Sequence, residues 1–490
     1  MTERLPIRSI AVLGAGIVGL SAATAFARAL PGVVVTVIET PADPAALADR
    51  MPGTLPTITT FHDRIGLDEG ALLKAGATHR IGTRLSDWRA DDRPVMLIYG
   101  DQGATLPPGG FHQHWLNARR HGRRAPFDAF APAASLAAAD RFVHPSADPG
   151  SPLSRFSYAL RLDPPRYRAL LRALARHLGI VPVAGQFGGI ERHADGGVGA
   201  MLLADGRRIV ADLYLDCAGP AAPLRTAIDA AREDWGAFLP VDRLLFGTEP
   251  ARPVTPTDDL IAVPAGWRFA KVLRDRTSVG LAFAASQTPE SRARRILPTG
   301  EELVSIRAGA CPTPWVHNVL ALGDAAVALD PLADANLHLA HSAILRAIDL
   351  LPGRDCLPLE LAAYNGHALR QASRVRDFQA AYLAAGARVR GEFWKAAARL
   401  PRPASLTHTL DQFAHRGRLP FYEDESFNAD SWQGLLLGLG IMPRLPDPIA
   451  SATPLDTVVA TLDRLSATVA ALPDRLPPYP AYLAQLDRQR

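Results

Sequence analysis

The chain has 490 residues, of which 48% are hydrophobic and 21% charged, which excludes a disordered protein and calls for more than one ordinary core. Its 53 basic and 49 acidic residues nearly balance, and the arginines are scattered, so no nucleic-acid partner is expected. Cys217, Cys311 and Cys356 lack Cys-x-x-Cys spacing, which speaks against a disulfide framework or a zinc site. No metal is therefore expected. The chain shows neither a signal-peptide pattern nor an apolar run of about 18 residues, so it reads as cytoplasmic with no membrane association.

In chain order, "IAVLGAGIVGLSAATAFARAL" (10–30) predicts a strand, a glycine turn and a helix, and "VVVTVIE" (33–39) a second buried strand. Residues 44–150 are mixed and rich in proline and loops. "DPPRYRALLRALARHLGI" (163–180) predicts an amphipathic helix capped by Asp163, with Gly179 near its end. Strands then alternate around the turn Asp205-Gly206. A mixed-sheet segment around 240–285 precedes a strand, a loop and a long helix over 318–351. Residues 360–400 read as helical, and the proline-punctuated remainder ends in a helical tail at 454–472.

Gly14, Gly16 and Gly19 form Gly-x-Gly-x-x-Gly between strand and helix, and Glu39 lies 20 residues after Gly19 at the end of the next strand. Each part has a physical use. The glycines let the backbone approach a pyrophosphate, the helix N-terminus offers N–H donors and a positive dipole end, and the acid accepts ribose hydroxyls. Two later strands also run into small-residue turns, "DLYLDCAGP" with Gly219 and "NVLALGDAAVALDPL" with Gly323, Asp324 and Pro331. The second is similar to the Gly-Asp motif of FAD-containing monooxygenases, in which the Asp reaches the ribose. A return of the chain to the first domain favours FAD over NAD; a helix cap is the alternative for Asp324, and the two roles are compatible.

The stretches at 54–88, 111–119, 158–180, 234–246, 265–280, 323–340 and 431–443 together resemble the flavin-dependent tryptophan halogenases and their relatives, across nearly the whole chain. The resemblance implies an α/β fold: a Rossmann-like FAD-binding domain with an inserted mixed-sheet substrate domain and a helical C-terminal region. It assigns 1–50, 160–230 and 310–355 to FAD binding, 51–159 and 231–309 to the substrate-binding region, and 356–490 to the C-terminal helices. In that family the reduced flavin reacts with oxygen to give a hydroperoxide that oxidises halide, and a lysine amine holds the hypohalous acid beside the substrate.

The departures from that pattern carry weight. "ATHR" puts His79 at the family's aromatic residue and Arg80 at its lysine. "WRFAKV" keeps Trp267 of a Trp-x-Trp-x-Ile-Pro motif but has Phe269, Lys271 and Val272 in the other places, and "PLAD" has Ala333 where a glutamate stands, followed by Asp334. A guanidinium is a planar cation with no accessible free amine, so hydroxylation of an electron-rich ring becomes the expected reaction, with halogenation as the alternative. The branch of this superfamily that matures tryptophylquinone cofactors is the closer match on this reading. It implies an aromatic substrate, a Trp within a polypeptide, and electrons from a separate flavin reductase or transiently bound NAD(P)H. A flavin-bearing scaffold without turnover is the third reading. The candidate catalytic residues are Arg80, His79, His338 and Trp267. His79 and Arg80 read alternatively as exposed strand-edge residues, Trp267 as core, and Asp334 and Asn336 as caps of the following helix with flavin contact.

Overall fold

The computed structural model describes residues 5–89, 91, 93–385 and 389–489. The first four residues of the expected segment 1–50, and residues 386–388 of the expected helical region, lie outside the described residues. The chain divides into two compact units, residues 1–77, 162–242 and 304–376, and residues 78–161, 243–303 and 377–490.

The first unit is built on a sheet in which Val319–Ala321, Leu213–Asp216, Ser9–Leu13, Val34–Glu39 and Val181–Ala184 lie side by side, all parallel. Ser9–Leu13 occupies the middle, so its carboxyl end opens on the crevice where such sheets bind ligands. Parallel strands need both faces covered, and their sequence shows it: Ala11, Leu13, Ile38, Tyr214 and Val319 share one buried cluster. Helix Ile17–Ala29 is buried from Ile17 through Phe26 because it packs on strand Val34–Glu39 and on helices Pro164–His177 and Asn336–Asp349. Each fully buried Leu, Ile or Phe there contributes roughly 1.5–3 kcal/mol. Asp163 caps helix Pro164–His177 by accepting from Arg166 N, and Gly206 makes its turn at φ +86°.

In the second unit, strands Arg243–Pro250, Arg276–Phe283, Gly266–Val272, Thr257–Val263, Gly82–Ser86 and Val95–Ile98 follow one another in one mixed sheet. The pairing of Thr257–Val263 with Gly82–Ser86 is parallel and sets Asp258 opposite Thr83. A short ribbon pairs Thr78–Arg80 with Ala159–Arg161 and sets Thr78 opposite Arg161. The C-terminal part supplies helices Glu392–Ala397, Ala404–Arg416, Ala429–Gly438, Leu455–Ala470 and Tyr479–Arg488. Among the described residues no helix is long and apolar enough to cross a membrane.

Candidate functional site

The glycine turn of the first unit has the geometry its sequence demands. Gly14 adopts φ +105°, and a Cβ there would stand 2.6 Å from the Cys217 carbonyl oxygen. A Cβ on Gly19 would stand 2.0 Å from the Gly14 carbonyl oxygen, so this glycine is what lets helix Ile17–Ala29 lie against the turn. An open cleft of about 530 Å³ follows, lined by Gly14, Gly16, Glu39, Asp43, Arg168 and Arg172 among others. Glu39 ends its strand at the cleft and pairs with Arg172 at 3.1 Å. Gly219, at φ +92°, abuts Asp43 on the same rim.

Asp324 is buried behind the turn. Its Oδ2 accepts from Ala48 N at 2.8 Å, while its Oδ1 is buried with no hydrogen-bond partner among the described residues. The hydrogen bond goes to a distant segment, so Asp324 is not the cap of its own short helix, Gly323–Ala325. Burial pushes its carboxyl up to about 7, against that hydrogen bond. A buried acceptor left without a donor costs about 1–3 kcal/mol, and a ligand hydroxyl at Oδ1 removes that cost. Gly323, at φ +61°, packs on Val18. The glycine cradle, Glu39 and the orphaned Asp324 oxygen all fit FAD.

Asp49 was not singled out from sequence, lying in the short 3-10 helix Leu47–Asp49, outside any motif. Its Oδ1 accepts from Val18 N at 2.8 Å, and burial pushes its carboxyl up to about 6 despite that bond. A carboxyl at the first turn of this helix answers the same N–H groups and dipole that a phosphate would.

The loop after strand Val319–Ala321 runs through Pro331 into helix Asn336–Asp349. Contrary to the capping expectation, that helix has no side-chain cap. Asn336 turns back to donate from Nδ2 to Leu329 O at 2.9 Å and leaves its Oδ1 buried without a hydrogen bond. Asp334 takes φ +53° and packs on Gly53, where a Cβ would meet its Oδ1 at 2.3 Å. Asp330 Oδ1 accepts from Leu332 N instead. His338 Nδ1 lies 2.8 Å from Thr57 Oγ1, and burial, with Arg346 adding, pushes its imidazole down to about 4. One turn on, His341 stacks on Phe61 at 3.6 Å and reaches Ser21 Oγ at 3.2 Å.

His79, Arg80 and Trp267 belong to the second unit, and all three are buried. The exposed strand-edge alternative for His79 and Arg80 therefore does not hold. His79 stacks on Phe142 at 4.2 Å, and its Nδ1 lies 3.0 Å from Tyr479 Oη. Trp267 is fully buried, and its Nε1 has no hydrogen-bond partner among the described residues. Arg80 Nε lies 2.7 Å from Asp258 Oδ2, an ion pair not aligned as a hydrogen bond. Arg80 also donates to Tyr99 Oη and, at 2.6 Å, to Thr83 Oγ1.

The same carboxylate takes Arg161 Nε on Oδ1 at 2.6 Å and Lys271 Nζ on Oδ2 at 3.0 Å. Burial alone raises the Asp258 carboxyl, but Arg161, Lys271 and Arg80 outweigh it and hold it well below the ordinary range. Sequence reading noticed Lys271 only as a motif departure and missed Asp258 and Arg161. Three cations from separate strands converge on one acid only after folding.

The tryptophan halogenase family profile matches residues 9–455. The chain is similar to BrvH, a flavin-dependent halogenase from Brevundimonas sp. BAL3, with 30% identity, coverage of 98% of this chain and 99% of that one, and a TM-score of 0.92. It is 24% identical to tryptophan 7-halogenase KtzQ of Kutzneria sp. strain 744 over 98% of each chain. It is likewise 24% identical to tryptophan 7-halogenase RebH of Lentzea aerocolonigenes, over 90% of this chain and 91% of that one.

Proposed function

The chain belongs to the tryptophan halogenase family, and we propose that it is the FAD-dependent enzyme that halogenates an electron-rich, indole-type aromatic ring. This reverses the order expected from sequence: the family match and the similarity to BrvH support halogenation better than hydroxylation. The observation that carries the reading is the dinucleotide cleft lined by Gly14, Gly16 and Glu39 in a chain matched by the family over residues 9–455.

In this reading Gly14 and Gly16 let the pyrophosphate approach the turn before helix Ile17–Ala29, whose Val18 N–H is taken by Asp49, while Glu39 takes a ribose and Asp324 Oδ1 a further hydroxyl. When bound, reduced FAD supplies oxygen activation, which is the cofactor's own chemistry. The residues of the chain do the rest. Asn336 and the backbone around Pro331 shape the loop on the flavin side. His338, neutral near pH 7, offers hydrogen bonding to Thr57 without adding charge. Arg80, cationic at any working pH, supplies fixed positive charge and N–H donors to the oxidant beside the substrate. The step it serves balances as hypohalous acid plus arene giving haloarene plus water.

Hydroxylation remains the second reading, and one observation favours it. Arg80 replaces an amine and Ala333 an acid, so neither position offers the groups the family resemblance implies for halide relay. In that case the substrate is a Trp of a polypeptide, as in tryptophylquinone maturation. Under either reading electrons come from a separate flavin reductase, and the enzyme works in the cytoplasm.

The test supplies the holoenzyme with reductase-generated reduced FAD, oxygen, bromide or chloride, and either indole or a Trp peptide. Mass spectrometry of the product shows hydrogen exchanged for halogen if the proposal holds. A gain of one oxygen selects the second reading, and flavin reoxidation with an unchanged arene selects the non-catalytic scaffold.

A further inference from the structure

Four charged side chains of the second unit, Arg80, Arg161, Asp258 and Lys271, meet with none more than 2% exposed. Their arrangement is asymmetric in a way that assigns roles. Arg161 is spoken for on every side. Besides Asp258 Oδ1 it donates to Thr78 Oγ1, Thr255 O, Val272 O and Thr257 O, at 2.8–3.2 Å. It ties the acid to the backbone of two strands and acts as a buttress. The other oxygen, Oδ2, is shared by Arg80 at 2.7 Å and Lys271 at 3.0 Å. Sheet register completes the seat: Asp258 stands opposite Thr83, and Thr83 Oγ1 accepts from Arg80. One rigid carboxylate thus fixes two cations, one of them at the position where the family resemblance implies a lysine.

We propose that Asp258 is the positioning residue of this oxidation site, a carboxylate that locks Arg80 and Lys271 into one fixed pair of cations and acts on the reaction through Arg80. The inference rests on the reading above that position 80 serves the oxidant. It explains how arginine is accommodated there. A guanidinium is planar and directional, so it is useful only in one orientation, and Asp258, Thr83 and Tyr99 together define that orientation. Preorganised charge of this kind contributes to the chemical step more than to substrate binding.

The consequence is a split between kinetic constants. With bromide, indole and reductase-supplied FAD, Asp258→Asn is expected to lower brominated product per flavin reoxidised at least ten-fold. The indole KM should stay within two-fold and the visible spectrum of bound FAD should be unchanged. Asp258→Glu restores a third or more of the loss. Should Asp258→Asn fail to fold, Asp258→Asn with Lys271→Met removes one acid and one cation together, and the same ten-fold loss is expected from that folded protein. Product within two-fold of the parent in either folded variant overturns the inference, as does a loss that appears wholly in KM or in FAD content. A parent enzyme that modifies no arene sinks the functional reading and this inference with it, whereas an active parent with unaffected variants sinks the inference alone.

Discussion

Arg80 and Asp258 meet at 2.7 Å with both side chains at or below 2% exposure, and their pairing is unequal because Asp258 also serves Arg161 and Lys271. Removing one partner of an isolated buried pair costs about 3–5 kcal/mol. Here the two removals differ. Asp258→Ala strands three cations together, so it should fall at or above that range. Arg80→Met leaves the carboxylate with two cations and forfeits mainly the hydrogen bonds to Tyr99 and Thr83, about 1–3 kcal/mol. Urea unfolding of the two variants measures the difference. Equal losses would mean that the carboxylate is not the hub.

A second prediction concerns the glycine that no chemistry requires directly. Gly19→Ala puts a Cβ 2.0 Å from the Gly14 carbonyl oxygen, a backbone atom that cannot swing away. The helix must then move off the turn that cradles the pyrophosphate. FAD bound per chain, read from flavin absorbance after purification, should fall at least ten-fold while the far-ultraviolet dichroism stays close to the parent's. Full flavin content in Gly19→Ala would show that the helix start does not hold the dinucleotide.

How much of this was legible beforehand follows from where the information lies. Gly14, Gly16, Gly19 and Glu39 occur within one strand-turn-helix-strand unit, so their spacing alone encodes their geometry, and Asp163 is a cap for equally local reasons. Asp258, Arg161 and Lys271 come from three strands whose register only the folded sheet defines. No window of sequence contains them. The capping role expected for Asp334 and Asn336 failed for a related reason: buried Leu329 O claims the Asn336 amide, and Asp334 turns onto Gly53, residues local patterns do not connect. Asp49, at the end of a short 3-10 helix without motif, is visible only once the helix start it faces is in place.

The orphaned oxygen of Asp324 leads to a pH-dependent prediction for the FAD-free protein. Burial raises its carboxyl in the folded protein from the ordinary 3.8 to about 7. A raised acid binds its proton more tightly in the folded state, so its contribution is fully present below about pH 4 and is lost as pH rises towards 7. Asp324→Asn removes that loss. Relative to the parent it should gain about 2–3 kcal/mol between pH 5 and pH 8, while its FAD affinity drops because the ligand hydroxyl loses a charged acceptor. Urea midpoints at the two pH values, with FAD titration at pH 8, check both halves. A constant parent-to-variant difference across that range would show that Asp324 is not a strained acid.

Histidine works in the opposite sense, and the two effects overlap in one pH range. His338 is pushed down to about 4 and His62 to about 3, each from 6.5 and each by burial. In the folded state they stay neutral while their unfolded counterparts take up protons, so stability is present above about pH 6.5 and is lost as pH falls towards 4. Over that same interval Asp324, Asp216 and Asp330, all raised by burial to between about 6 and about 7, gain stability on acidification. The parent should therefore show a shallow net slope that conceals two opposed ones. His338→Gln, which preserves a hydrogen-bonding partner for Thr57, removes one proton from the destabilising side. Its stability relative to the parent should rise as pH falls from 6.5 to 4.5, by up to about 1.4 kcal/mol per pH unit. Unfolding at those two values decides it: a parent and variant that track each other would mean that His338 takes up its proton as readily folded as unfolded, so that burial does not hold it neutral beside the flavin loop.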